Sequence, residues 1–440
     1  MTDSASPGSS AGQLARSLGT GDAVVVGLGA MIGAGIFASL GPAAHAAGSG
    51  LLVGLVVAGV VAYCNATSSA RLAARYPASG GTYVYGRERL GEFWGYLAGW
   101  SFIVGKSASC AAMALTVGTY LWPGHAHAVA VAAVVALTAV NYGGIQKSAW
   151  LTRVIVGVVL AVLAAVVTAA FTSGHTDTAR LEIRGDTTVT GIMQAAGLLF
   201  FAFAGYARIA TLGEEVRDPE RTIPRAIPAA LGITLLVYAT VAVAALLVLG
   251  PQQLSTATAP LTELVRASGH EWLVPVVRIG AAIAALGSLL ALILGVSRTT
   301  LAMARDRHLP SVLAAVHPRF QVPHRAELAV GAVVAIASAT TDLRAAIGFS
   351  SFGVLLYYAI ANAAAWTLTA AERRPPRLIP ILGLIGCLAL AFTLPRVSVL
   401  FGALVIAFGG AIYVLRGVIG SPTQPRSEES SKLPGSDERR

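Results

Sequence analysis

Long, nearly uncharged apolar blocks recur along the whole chain, and they leave few folds open to it. A run of about 20 apolar residues is what a helix needs to cross a bilayer. Twelve blocks can be marked: Asp22 to Ala47, Gly50 to Ala70, Gly91 to Leu121, Ala126 to Asn141, Leu151 to Thr172, Thr190 to Leu212, Ile223 to Leu249, Trp272 to Val296, Ala326 to Ala339, Arg344 to Ala370, Leu378 to Leu394 and Val397 to Leu415. Twelve spans of about 22 residues use about 264 positions. Of 440 residues, that leaves short connections and two tails, with no room for a separate soluble domain. Charged residues are 12% of the chain and hydrophobic ones 55%, against roughly 25% charged in soluble domains. Mean hydropathy is +0.71. A soluble enzyme and a disordered chain are both excluded, and an all-α polytopic membrane protein of about twelve helices is expected.

The net charge of +10 would suggest nucleic acid in a soluble protein, but the distribution says otherwise. With the N-terminus placed inside, alternation puts 24 Lys and Arg in inside segments and 5 outside, with Lys106 and Arg278 in spans. Positive charge collects on the cytoplasmic side. Both termini are therefore expected in the cytoplasm of a plasma-membrane protein, with the bilayer as its partner and no nucleic acid. Losing one internal span would scramble the alternation. Cys64, Cys110 and Cys387 lie singly in apolar runs, which speaks against disulfides and zinc; packing is their expected role. Residues 1–20 are polar and lack a basic n-region and cleavage site, so they form a cytoplasmic tail and the first span is an uncleaved signal-anchor. Residues 421–440 are rich in Pro, Ser and charge and form a second, disordered tail.

The first block carries four glycines within nine residues, Gly27, Gly29, Gly33 and Gly35. Gly29 and Gly33 have GxxxG spacing, so close helix packing is one explanation. The other is an unwound break, tolerated at mid-membrane where it lines a cavity. The sixth block, five blocks later, shows a matching interruption at Gly205 and turns polar early, over residues 206 to 215. Paired interruptions in two five-span halves point to an inverted repeat with a central substrate site. The halves are 21–172 and 188–371, and 378–416 adds two helices. A half-helix N-terminus suits a carboxylate, and the opposing C-terminal carbonyls suit an ammonium. An α-amino acid head group needs both. No acidic residue lies deep in any marked span. No catalytic residues, metal ligands or cofactor are therefore expected.

Four stretches together resemble a known family. GAMIGAGIF, residues 29–37, is similar to the first-span signature of the amino acid–polyamine–organocation transporters. The same resemblance holds for residues 76–100, 200–227 and 298–310, in the family's order. Bacterial permeases related to cationic amino acid transporters look most similar. The resemblance implies the five-plus-five inverted-repeat fold shared with neurotransmitter–sodium symporters, with helices 1 and 6 broken. It also implies a substrate site at Met31, Ile32, Gly33, Ala34, Gly35, Phe201, Ala204 and Gly205. In it the amides of Gly33, Ala34 and Gly35 hold a carboxylate. The carbonyls of Met31, Phe201 and Ala204 take an ammonium, and the Phe201 ring acts as a gate. Ala34 stands where several relatives have Ser. Some proton-coupled relatives carry a Lys twelve residues after the Lys of a K-S-A motif; here that position, counted from Lys147, is Val159.

Remaining charges supply alternatives. Lys106 lies well inside the third span, and an intramembrane Lys is a functional candidate by default, with snorkelling as its ordinary explanation. Arg208 follows the second break and would either meet an acidic substrate or sit at the inside boundary. Glu214, Glu215, Arg217 and Arg221 would pair as a cytoplasmic gate or form a solvated loop. The function expected is a secondary transporter of amino acids, working by alternating access as a symporter or exchanger, with a proton or counter-substrate as the second ligand. It would act as a monomer or homodimer. A polyamine or organocation transporter of the same fold and a non-transporting amino acid sensor are the alternatives. A major-facilitator protein would need a long central cytoplasmic loop, and the connection after the sixth block is short.

Overall fold

The computed structural model describes residues 19–76, 80–144, 149–183, 185, 187–206, 209, 216–372 and 374–419. Every regular element among them is helical. In chain order the α-helices are α1 (Thr20–Met31), α2 (Ala34–Ala38), α3 (Leu40–Ala47), α4 (Leu51–Arg75), α5 (Thr82–Leu90), α6 (Glu92–Leu121), α7 (Ala126–Tyr142) and α8 (Ala149–Thr172). They continue with α9 (Val189–Phe203), α10 (Pro219–Thr256), α11 (Pro260–Ala267), α12 (Val274–Arg305), α13 (His324–Thr340), α14 (Leu343–Trp366), α15 (Leu378–Thr393) and α16 (Arg396–Ile419).

Ten helical runs among the described residues are long and apolar enough to cross a membrane. The chain is a multi-pass membrane protein. Where the ninth and eleventh blocks were marked, α13 and α15 have 17 and 16 residues. One of the ten runs spans residues 40 to 75, but the chain turns inside it at Gly48, where φ is +54°. Glycine alone enters that region without penalty, so the first block ends at Ala47, as its sequence suggests. The eighth block extends further than expected, to Arg305. Ser297 and Thr300 return their hydroxyls to the carbonyls of Ile293 (2.8 Å) and Val296 (2.9 Å), which lets a polar stretch stay helical. Thr188 and Asp342 cap α9 and α14 through side-chain oxygens, replacing a missing intrahelical acceptor. The short helices α5 and α11 were not expected from periodicity.

Packing runs between elements five blocks apart. α4 lies against α10, α6 against α12, and α7 against α13. α2 and α3 lie against α9, and α1 against the turn that follows α9. The outer face of α16 exposes Leu400, Phe401, Leu404 and Phe408, as a lipid-facing helix does.

Hydrogen bonds tie the connections into two opposite faces. On one, Arg87 of α5 pairs with Asp306 at 2.5 Å, Arg89 and Arg75 pair with Glu372 at 2.9 and 3.1 Å, and Arg416 donates to the His308 carbonyl at 2.9 Å. On the other, Arg278 donates to the carbonyls of Tyr120 and Leu121, the Asp177 amide to Leu247, and Arg344 to Ser255.

One expectation needs correction. No acid is expected deep in a marked span, yet Glu327, the second residue of the ninth block, is 0% exposed one turn inside α13. Both its carboxylate oxygens lack a hydrogen-bond partner among the described residues. The helix begins at His324, ahead of the marked block, so the chain buries what hydropathy assigned to an interface.

Candidate substrate site at two helix breaks

The first break falls between α1 and α2. Ile32 has φ −79° and ψ 64°, and Gly33 has φ −116° and ψ −140°, neither helical. The Ile32 amide still donates to Leu28 (2.7 Å), and the Gly33 amide turns back to the Met31 carbonyl (2.8 Å). The first N–H groups of α2, from Ala34 on, then have no acceptor within their own helix. The reading of this stretch as an unwound break therefore holds over simple close packing, although Gly33 and Gly35 also fit tightly. A Cβ at Gly35 would strike Ala202, and one at Gly33 would strike Ser288 Oγ.

The second break follows α9. Its last turn passes into a tight 3-10 turn over Ala204–Tyr206. Gly205 is required there because a Cβ would collide with the Ala30 carbonyl. That close approach brings the two breaks together. Met31, Ile32, Gly33, Ala34, Gly35, Phe201 and Ala204 are all buried, in the interior of the helix bundle. Phe201 is 7% exposed and lies in the last turn of α9, so its carbonyl is among those a helix end leaves unpaired.

Two side chains from other helices reach the breaks. Tyr238 of α10 places Oη 2.5 Å from the Met31 carbonyl oxygen, to which it donates, and 3.1 Å from that of Ala202. It was not foreseen; a tyrosine inside an apolar block, whose hydroxyl needs a partner once buried, is the signal that would have found it. Lys106, at the centre of α6 and 6% exposed, donates Nζ to the Ala204 carbonyl at 3.2 Å. Its ammonium does not reach solvent, so snorkelling does not describe it. Val159 is fully buried in α8.

Of the other candidates, those among the described residues lie away from the breaks. Arg208, Glu214, Glu215 and Lys147 lie outside the described residues. Arg217 is exposed, and its carbonyl accepts from Thr222 Oγ1 at 2.6 Å. Arg221 pairs with Asp218 at 3.6 Å, and Arg153 with Asp22 at the start of α1. Among the described residues no group of three or more His, Cys, Asp or Glu could hold a metal.

Comparison with known proteins gives this geometry a family. The family model described as "Amino acid permease" matches residues 18–419. An uncharacterised transporter of Mycobacterium tuberculosis (strain ATCC 25618 / H37Rv) is 74% identical over 92% of each chain. The branched-chain amino acid permease of Bacillus subtilis (strain 168) is 27% identical, covering 91% of this chain and 93% of its own. The human cationic amino acid transporter 4 is 28% identical, covering 82% of this chain and 61% of its own. A polytopic helical fold, two facing helix breaks and a match over nearly the whole length together establish that the chain belongs to the amino acid permease family of transporters.

Proposed function

We propose that the protein moves amino acids across the plasma membrane by alternating access, with twelve spans arranged as two inverted five-helix repeats and two added helices. The observation that carries this is the meeting of the two breaks, Gly205 against Ala30, in a buried interior. Packing between elements five blocks apart supports the repeat. Two relatives of different named specificity, branched-chain and cationic, share the amino acid as the common substrate unit. The amides of Ala34 and Gly35 receive the substrate carboxylate, and that of Gly33 joins them by leaving the Met31 carbonyl. The Phe201 carbonyl faces the ammonium, and the Phe201 ring closes over the bound molecule. Lys106 is the candidate for coupling to a proton, since Val159 offers no titrating group.

Purified protein in proteoliposomes tests this. Vesicles preloaded with unlabelled amino acids should take up labelled ones. Uptake that requires internal amino acid and ignores a pH gradient identifies an exchanger. Uptake driven by the gradient, and lost in Lys106→Ala, identifies a symporter coupled through α6. Absence of uptake with tight binding retained would instead make the protein a sensor.

A further inference from the structure

The protein's own donors already occupy the acceptors at the two breaks. The Met31 carbonyl takes the Gly33 amide at 2.8 Å and the Tyr238 hydroxyl at 2.5 Å, and a carbonyl has two lone pairs. The Ala202 carbonyl lies 3.1 Å from the same hydroxyl. The Ala204 carbonyl takes the Lys106 ammonium at 3.2 Å. Two of the three carbonyls assigned to a substrate ammonium are therefore engaged, one of them by a fixed cation.

Donors, in contrast, are left over. An ammonium has three N–H groups and no acceptor. Only one bond, to Ala204, is recorded for that of Lys106, so two N–H groups have no partner among the described residues. Ser288 of α12 is 7% exposed and its hydroxyl has no partner; it sits where a Cβ on Gly33 would strike it. No Asp or Glu occurs in residues 27–40, 95–120, 189–206 or 280–300, the segments that surround the breaks. A site with unpaired donors, a side-chain cation and no acid among the described residues around it is built for an anion. A cationic side chain entering it would face Lys106 with nothing to offset the repulsion.

We infer that Lys106 selects an acidic amino acid. The side-chain carboxylate of the substrate accepts from the two remaining N–H groups of Lys106, with Ser288 Oγ as the neighbouring donor. The α-ammonium turns to the Phe201 carbonyl, to which no side chain among the described residues donates. This selectivity rests on the amino acid transport proposed above, and it reverses the charge preference named for the cationic relatives.

Glutamate and glutamine have one shape and differ by one charge, so their ratio of uptake isolates the effect. In proteoliposomes the intact protein should take up labelled glutamate about tenfold faster than labelled glutamine, the ratio that a preference of about 1.4 kcal/mol gives. Labelled lysine should be slowest. Lys106→Met should bring the glutamate-to-glutamine ratio to about one, while Lys106→Arg keeps it well above one. The inference is overturned if the intact protein carries glutamine or lysine at least as well as glutamate, or if Lys106→Met leaves the ratio unchanged. Should Lys106→Met not fold or not transport, the ratio in the intact protein and its fall in Ser288→Ala decide the matter. If neutral amino acids are carried and acidic ones are not, transport stands and this selectivity fails. If no amino acid of any charge moves, the transport proposal itself fails.

Discussion

At the residue scale, the breaks are held by hydroxyl and ammonium groups brought from a distance. Tyr238 is the clearest case. It is 1% exposed, and its hydroxyl bridges carbonyls from both broken helices, Met31 from the first and Ala202 from the sixth. Those carbonyls cannot turn to water. Tyr238→Phe keeps the ring, which stacks at 5.2 Å against Phe203, and removes only the bridge. An unsatisfied buried acceptor costs about 1–3 kcal/mol. Thermal unfolding in detergent should show the variant destabilised by that order. Uptake should fall by more than lost stability explains, because the angle between the half-helices is no longer fixed. An unchanged melting temperature would mean that the Ala202 carbonyl finds another donor, the Met31 carbonyl keeping the Gly33 amide. Gly205 belongs to the same system from the opposite side: it was legible as an interruption, but its partner, the Ala30 carbonyl, was not.

At the element scale, a polar brace joins α5 to the connection between α12 and α13. Tyr83 donates its hydroxyl to Asp306 at 2.6 Å and lies 2.9 Å from His308 Nδ1; Arg87 pairs with the same Asp306. Burial, with the Asp306 carboxylate next, pushes the Tyr83 phenol up, so it stays protonated and donating. Burial also pulls His308 below its ordinary value, overriding the attraction of Glu92 and Asp306. A histidine whose folded value lies below its unfolded one, about 6.5, binds protons more readily when unfolded. Its contribution to stability is thus full above about pH 6.5 and falls as pH drops below it. The unfolding temperature in detergent should decline from pH 7 to pH 5.5, and His308→Asn should flatten that decline. An unaltered slope in the variant would assign the titration to another group. In the neighbouring connection, Thr369 amide and Arg89 contacts hold the Glu372 carboxyl at about 2, so it stays ionised throughout that window.

Much of this scale could be read in advance. Block ends fell close to the helices where a glycine or a cap marks them, as at Gly91 before α6 and Thr188 before α9. The breaks were legible because glycine clusters are rare within apolar runs. Four features escaped: α5, α11, the extension of α12 and the burial of Glu327. The helix α5 is held by contacts between connections, such as Arg87 with Asp306, and the extension of α12 by hydroxyl bonds to its own carbonyls; periodicity along one segment contains neither. The Lys106 contact with Ala204 escaped for the same reason. The sequence marks an intramembrane lysine, but only packing of α6 beside the second break names its acceptor.

At the scale of the whole molecule, the charge count and the hydrogen-bonded faces are two independent routes to one topology. Arg75, Arg87, Arg89 and Arg416 belong to the charge-rich set and all meet on one face. Arg180 and Arg344 belong to the sparse set and lie on the other, where Arg278, counted within a span, also makes its bonds. The positive-inside tendency predicts that the first face is the cytoplasmic one. The short helices α13 and α15 decide whether the alternation holds to the end, since a failure of either to cross would invert everything after it. Thiol labelling can follow them one at a time. Cys64, Cys110 and Cys387 are buried, so the native protein gives a quiet background. His175, Ser311, Thr340, Ala371 and Arg396 are exposed at the ends of successive helices and can each be replaced singly by cysteine. A membrane-impermeant maleimide added to intact cells should reach His175→Cys, Thr340→Cys and Arg396→Cys. It should reach Ser311→Cys and Ala371→Cys only after permeabilisation. Equal protection of Ser311→Cys and Thr340→Cys would show that α13 does not cross. Equal protection of Ala371→Cys and Arg396→Cys would show the same for α15, and the even span count with both termini cytoplasmic would then give way.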